Sequence, residues 1–299
     1  MAALARGRTR LSLLPILLCL ALSAGGCNMV DKDGTSASEL PGVELIEQPG
    51  AGVAAWSPDG RWIAFPSPEG IGLKRADGTE ERMIEAPPIT ANLGRPAPIE
   101  WSREDDLLRY VTTNGPELPW GPWITRVRPD GSDVGQARLL SANEERPDEP
   151  VLSADGRSVA FKRHASGGSE LWVADADGSD QRRLAHFLYL RHYRFSPDNR
   201  RIAFTAGGWD GGLYTVSTGG GEPRLVTRES PVGGPSWTPD GRWLTFSDRD
   251  GEVRRIRPNG SGAGTIADFD GEEVRGLVWS PNGRYLLYSA RPFPNEYFD

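Results

Sequence analysis

Short apolar segments alternate with turn sequences along most of the chain. Gly, Pro, Asp or Asn bounds most of these segments, a pattern that favours many short β-strands. One ten-residue unit, Trp56-Ser-Pro-Asp-Gly-Arg-Trp-Ile-Ala-Phe65, recurs in recognisable form. Its six copies start 42 to 51 residues apart, at Trp56, Trp101, Leu152, Phe195, Trp237 and Trp279. This period suits four short strands with their turns, which is one blade of a β-propeller.

The centre of the unit is a tight turn between two strands. Pro sets φ for the first corner, Asp fits the second, and Gly takes the left-handed position of a bulged hairpin. Asn199 stands where Gly is expected, and Asn tolerates that conformation best among the other residues. The second copy has Arg103, Glu104, Asp105 and Asp106 instead, so we expect its turn to be rebuilt. The strand after the turn, such as 63–65, is apolar on both faces, as stacked blades require.

The two ends of the repeat array are predicted to meet. Blades continue with a third strand, such as 171–173, and a fourth, such as 224–227. The last copy has only a weak third strand, at 296–298, and no fourth. The segment Val43–Ile46 can supply this outermost strand and remove the open edges of the sheets. We therefore predict an all-β fold over residues 43–299, a six-bladed β-propeller closed by an N-terminal strand that joins the last blade.

The repeat resembles the Pro-Asp repeat of TolB-like propeller proteins. The resemblance rests on the Trp-Ser-Pro-Asp-Gly-Arg-x-Ile-Ala-Phe unit and covers residues 43–299. It implies the propeller fold. Propellers of the prolyl-oligopeptidase family are related, but a hydrolase domain follows them, and we expect none in this chain.

The N-terminus has the features of a bacterial lipoprotein signal. Arg6, Arg8 and Arg10 precede an apolar stretch, 11–24, which is too short for a membrane span and is followed by Gly-Gly-Cys27. We predict a signal peptide over 1–26, then lipidated Cys27 and a flexible tether over 27–42. The lipid would hold the protein on the extracytoplasmic side, in the periplasm or at the cell surface. Ordinary secretion and an uncleaved anchor are the alternatives.

Charge and residue usage argue against several functions. The chain has 34 basic and 41 acidic residues, a net charge of −7, so nucleic acid is not an expected partner. We predict no cofactor and no metal site, because His164, His186 and His192 lack ligand spacing. The run Asp175–Asp180 is similar to a calcium loop, but its twelfth position is His186, so a turn is the favoured interpretation. The sequence has no Gly-x-Ser-x-Gly motif, and we expect no Cys nucleophile in the mature protein. Covalent catalysis is therefore not indicated.

The connections opposite the uniform turns are irregular, and irregular loops on a fixed scaffold are where binding is expected. Arg and aromatic residues in these connections are the candidate binding residues, because both types are common binding anchors. They are Arg95, Trp120, Arg146, Tyr189, Arg191, His192, Trp209 and Arg228. We predict a non-catalytic scaffold for an envelope protein, a peptide or a cell-wall component. A small-molecule hydrolase or lyase in the propeller channel, and a sensory or assembly module serving a neighbouring gene product, are the alternatives.

Overall fold

A computed structural model gives the fold of this chain. It describes residues 44–47, 54–67, 70–85, 99–102, 105–112, 123–132, 135–138, 148–207, 211–229 and 231–292. The predicted signal peptide, Cys27 and most of the predicted tether lie outside these ranges. Within them, no helix is long and apolar enough to cross a membrane.

All regular secondary structure in the described residues is β-strand. The strands in chain order are β1 (Glu44–Glu47), β2 (Ala55–Trp56), β3 (Trp62–Ser67), β4 (Gly70–Arg75), β5 (Glu81–Glu85), β6 (Ile99–Trp101), β7 (Leu108–Thr112), β8 (Trp123–Val127), β9 (Gly135–Arg138), β10 (Asp148–Leu152), β11 (Ser158–Ala165), β12 (Gly168–Asp175), β13 (Arg182–Phe187), β14 (Leu190–Phe195), β15 (Arg201–Ala206), β16 (Gly212–Ser217), β17 (Arg224–Thr227), β18 (Ser236–Trp237), β19 (Leu244–Ser247), β20 (Glu252–Ile256), β21 (Gly264–Asp268), β22 (Glu272–Trp279) and β23 (Tyr285–Pro292).

The strands are grouped into antiparallel sheets that follow the sequence repeat. Strands β2–β5, β6–β9, β10–β13, β14–β17 and β18–β21 form five four-stranded sheets, each in sequential order. We number these blades 1 to 5. A further sheet, blade 6, has the order β1-β23-β22. The all-β fold and its propeller arrangement, both predicted from the repeat, are confirmed, whereas the count of six blades and the closure of the ring stay predictions.

The N-terminal strand pairs with the last sheet, but at a different position from the one predicted. We expected Val43–Ile46 as a fourth strand, outside a third strand at 296–298. Instead β1 runs parallel to β23 and directly beside it, with Glu44 opposite Tyr285. The free edge of β23 offers backbone hydrogen bonds to the first strand that reaches it, so no intervening strand is required. Residues 296–298 lie outside the described part of the chain.

Neighbouring blades pack through apolar faces. Between blades 4 and 5, the second strand β19 is buried on both faces, and Phe246 packs in one cluster with Leu213 of blade 4. Blade 6 packs against blade 1 in the same way. There Trp56 stacks on Tyr285 with ring centroids 5.9 Å apart, and its indole Nε1–H donates to the Val278 carbonyl at 3.4 Å. Burial of both faces explains the apolar runs in the second strands.

The Ser-x-Asp motif of the repeat completes the hydrogen bonding of its own turn. In blade 1, Ser57 Oγ donates to Asp59 Oδ1 at 2.6 Å, and the Arg61 N–H donates to the same carboxylate at 3.0 Å. Partial burial raises the pKa of Asp59, but these hydrogen bonds outweigh it, so the pKa lies below its ordinary value. Gly60 has φ 71°, as the turn prediction requires. The motif is therefore structural.

The turn of blade 2 is rebuilt, as expected, by a shift of one residue. Asp106, rather than the residue aligned with Gly60, takes the left-handed conformation, with φ 53°. The carboxylate of Asp105 accepts from the Leu107 N–H at 3.4 Å and binds the Arg109 guanidinium. Asp105 thereby takes the role that Asp59 has in blade 1.

Turns of adjacent blades contact each other around the ring. A Cβ atom added to Gly60 would lie 3.9 Å from Pro281 of the preceding blade. A Cβ atom added to Gly241 would likewise lie 3.8 Å from Pro197 of the preceding blade. Blades 3 and 4 depart from this Gly–Pro contact at both positions. Ala154 replaces Pro and Asn199 replaces Gly, and the Ala154 N–H, which Pro would lack, donates to Asn199 Oδ1 at 3.2 Å.

Candidate functional site

The antiparallel topology gives the propeller two unlike faces. One, the turn face, carries the turns between first and second strands and between third and fourth strands. The other, the loop face, carries the connections between second and third strands and between blades. The strand β1 starts beside Tyr285, at the turn-face end of β23.

Four of the nine predicted site residues fall in the described part of the chain. Tyr189, Arg191 and His192 lie together where blade 3 leads into blade 4, and Arg228 follows the outer strand β17. All four are on the loop-face side, and no described contact joins Arg228 to the other three. The remaining predicted residues lie outside the described ranges; they are Cys27, Arg95, Trp120, Arg146 and Trp209.

The connection between β13 and β14 consists of two residues and exposes both side chains. Leu188 is 61% exposed and Tyr189 is 52% exposed. Their backbone is nevertheless fixed, because the Tyr189 carbonyl accepts the Gly207 N–H at 2.8 Å. The preceding Phe187 packs on Phe204 and Tyr214 of blade 4, with centroids 5.6 and 4.9 Å apart. The result is a pair of exposed side chains, one apolar and one aromatic, on a fixed backbone.

Sequence reasoning missed Leu188. A signal was present, because a two-residue connection between strands leaves no room for an apolar side chain to fold back into a core. Met83 and Leu225 are the other large apolar residues exposed among the described residues, and both lie on outer strands, away from the loop face.

His192 occupies a strained position in the first strand of blade 4. Its φ is 42°, at a bulge where the pairing of β14 with β15 shifts. Glu149 has φ 52° at the corresponding bulge of β10, while blade 6 has Gly276 there, with φ 66°. Non-glycine residues with positive φ are uncommon and often lie at functional sites. Arg191, next to His192, is exposed.

The other sequence candidates for metal binding are used in turns or exposed. Asp177 accepts from Ser179 Oγ at 2.6 Å, and Asp180 pairs with the Arg182 guanidinium. His164 and His186 are exposed on β11 and β13. In the described part of the chain, no group of three or more His, Cys, Asp or Glu side chains is placed to hold a metal ion.

A cavity of about 190 Å³ lies at the turn-face end of the central channel. The first strands of all six blades contribute to its wall, and prolines of the turns form its rim. Four tryptophans line it, but each is largely buried between blades. The charged residues among its lining are Glu100 of blade 2 and Arg194 of blade 4.

Burial shifts the ionisation of both charged groups. It raises the pKa of Glu100 to about 7, and the nearby Arg194 guanidinium opposes this only in part. Burial also lowers the pKa of Arg194, with Glu100 acting in the opposite direction. Arg194 Nη1 donates to the Tyr193 carbonyl at 2.9 Å. Sequence reasoning missed this pair, although a charge at a repeat position that is small or apolar in other blades was a usable signal.

Comparison by sequence finds relatives that match part of the chain. No family model matches. An uncharacterised protein from Agrobacterium fabrum is 28% identical over 147 residues, 47% of this chain and 48% of that protein. The Tol-Pal system protein TolB of Gluconobacter oxydans is 30% identical over 98 residues, 30% of this chain and 22% of that protein. The matches thus span about half of the first relative and less than a quarter of the second.

Solved structures with the same fold include TolB proteins and enzymes. A TolB candidate from Agrobacterium tumefaciens has a TM-score of 0.60 at 20% identity, covering 81% of this chain and 90% of that one. TolB from Acinetobacter baumannii has a TM-score of 0.59 at 18% identity, covering 76% and 56%. A gluconolactonase from Xanthomonas campestris has a TM-score of 0.55 at 18% identity, covering 80% of this chain and 82% of that one. An oligogalacturonate lyase in complex with manganese has a TM-score of 0.54 at 14% identity, covering 77% of this chain and 71% of that one.

These comparisons place the chain in the class of β-propeller proteins. The similarity to the enzymes concerns the fold alone. It indicates no activity for this chain, because one fold can have many functions. TolB proteins, in contrast, resemble the chain both in sequence and in structure. The propeller is TolB-like, as its repeat indicated.

Proposed function

We propose that the protein is a lipid-anchored scaffold of the bacterial cell envelope, which binds a protein, peptide or cell-wall partner through its loop face. The observation that carries this proposal is the pair Leu188 and Tyr189, exposed on a backbone fixed by hydrogen bonding and aromatic packing. Rigid apolar and aromatic side chains lose little entropy on binding, so they favour recognition. The similarity to TolB, a component of the Tol-Pal system in Gluconobacter, supports a scaffold role.

The proposed anchor and the proposed binding face lie at opposite ends of the propeller. Because β1 begins at the turn face, a lipid on Cys27 would act from that side. The intervening stretch, 28–43, can extend by up to about 55 Å. The loop face, with Tyr189 and Arg191, would then be directed away from the membrane towards a partner.

The test compares partner recovery by two variants of the full-length protein in its native envelope. The loop variant is Leu188→Ser with Tyr189→Ala, and the matched control is Met83→Ala with Leu225→Ala, which removes similar exposed apolar groups from outer strands. After mild cross-linking and affinity purification, mass spectrometry should show at least tenfold less partner with the loop variant, since truncation of two anchors commonly weakens binding by more than about 1.4 kcal/mol. Equal recovery by the two variants contradicts the proposal.

A channel-sited hydrolase or lyase is the alternative, because the structurally similar gluconolactonase and lyase are enzymes. Glu100, with its raised pKa, is the acid in the cavity that such a reaction would use. Lactone hydrolysis or oligogalacturonate cleavage that is lost in Glu100→Gln, while Leu188→Ser with Tyr189→Ala retains it, would favour the enzyme.

A further inference from the structure

Two charged, partly exposed side chains in the channel cavity have no structural explanation in the repeat. Glu100 and Arg194 each precede the aromatic residue of their copy by one position. At this position the other four blades have Ala55, Val151, Ser236 and Val278. Small or apolar side chains therefore satisfy the fold, and the two charges are an addition to it.

The two charges do not neutralise each other by direct contact. Glu100 and Arg194 interact electrostatically, and Arg194 also interacts with Glu149, but in the described part of the chain no N–O contact within 4.0 Å joins the side chains of Glu100 and Arg194. The hydrogen bond from Arg194 Nη1 to Tyr193 leaves the other guanidinium donors available to the cavity. Both side chains are partly exposed in the cavity, so their polar atoms can be reached from it, and a ligand of complementary charge can bind them directly.

We propose that this cavity binds a small ligand that carries both a cationic amine or guanidine and a carboxylate, with the cation on Glu100 and the carboxylate on Arg194. The planar guanidinium is suited to bidentate carboxylate binding. A cavity of about 150 Å³ holds benzene, which has six non-hydrogen atoms, so the present volume of about 190 Å³ takes a ligand of roughly eight such atoms. The site is on the turn-face side and does not depend on the proposed loop-face function.

This chemistry has two possible sources, which the probes distinguish. Free zwitterions are represented by glycylglycine, β-alanine and 6-aminohexanoate, which differ in the distance between their charges. Glycylglycinamide lacks the carboxylate, and N-acetylglycylglycine lacks the cation. End-capped peptides that contain one Lys and one Glu side chain represent a segment of a partner protein.

Binding of each probe to the purified full-length lipoprotein is measured by calorimetry. We expect at least one zwitterion to bind at least tenfold more tightly than either singly charged analogue. Glu100→Gln and Arg194→Gln should each weaken that binding at least tenfold, whereas Glu272→Gln and Arg200→Gln, which remove exposed charges outside the cavity, should leave it unchanged. Glu100→Asp and Arg194→Lys retain the charges and serve if a neutral variant fails to fold, as judged by its melting temperature; they should keep binding within about tenfold.

Three results overturn the proposal: singly charged analogues that bind as tightly, folded neutral variants with unchanged affinity, or no binding of any zwitterion or charged peptide. Binding of the capped peptides alone, lost in Glu100→Gln and Arg194→Gln, supports the site and assigns its ligand to a partner segment. Partner recovery through Leu188 and Tyr189 is scored separately, so either proposal can fail without the other.

Discussion

The hydrogen bond between blades 3 and 4 predicts a strong energetic coupling between two turn residues. Asn199→Gly restores the repeat residue but leaves the Ala154 N–H, now 3.2 Å from Asn199 Oδ1, without its acceptor. We expect a loss of about 1–2 kcal/mol, the range for a partly buried unpaired donor. Ala154→Pro places the ring in the space of Asn199 Oδ1, so this variant should also lose about 1 kcal/mol or more.

The double variant should recover most of the stability. Ala154→Pro with Asn199→Gly recreates the Pro–Gly contact seen between Pro197 and Gly241. Proline also restricts the unfolded chain, which contributes about 0.4–1 kcal/mol where its φ is compatible. The double variant should therefore lie within about 0.5 kcal/mol of the parent, a coupling of about 1.5 kcal/mol or more between the two positions.

Urea unfolding with an unchanged m-value measures these free energies. The reverse exchange in blades 4 and 5 is the matched control, because Pro197 has no N–H for an introduced side chain to accept. Gly241→Asn alone should destabilise, and Pro197→Ala with Gly241→Asn should recover part of that loss. Additivity of the Ala154 and Asn199 single variants within about 0.5 kcal/mol would refute the reasoning.

Three further predictions concern the cavity, the N-terminal strand and the anchor. Burial raises the pKa of Glu100 from 4.5 to about 7, so the fold favours the protonated form and loses stability as pH rises through this interval. Glu100→Gln should therefore stabilise the protein by about 1–3 kcal/mol at pH 8 and by little at pH 4.5. An equal effect at both pH values in chemical unfolding contradicts this prediction. Deletion of residues 43–47 removes β1 from β23 and should lower the melting temperature by several degrees, given about 2–4 °C per kcal/mol; a change below two degrees argues against a stabilising strand. Cys27→Ser should prevent lipidation, and membrane fractionation that is unchanged from the wild type rules out thiol acylation as the anchor.

The repeat made the strands and turns predictable because they depend on local sequence. Gly60 and Asn199 adopt the left-handed conformations that their positions required. The position of β1 was not predictable in the same way, because it depends on which free edge the segment reaches in space. The candidate site was even harder to predict from the sequence, because the exposure of Leu188 depends on how Phe187 packs against blade 4.

The departures from the repeat fall into two kinds, and the difference separates structure from function. Asn199 accepts a hydrogen bond that only the accompanying change to Ala154 makes possible. Asp105 likewise takes over the capping role in the shifted turn of blade 2. Each of these changes is compensated by a neighbour, so stability alone explains it. Glu100 and Arg194 lack such compensation, because each places a partly exposed charge in the cavity without a direct ion pair between them. The other four blades have a small or apolar residue at this position, so these two side chains are the observation on which the proposed channel ligand rests.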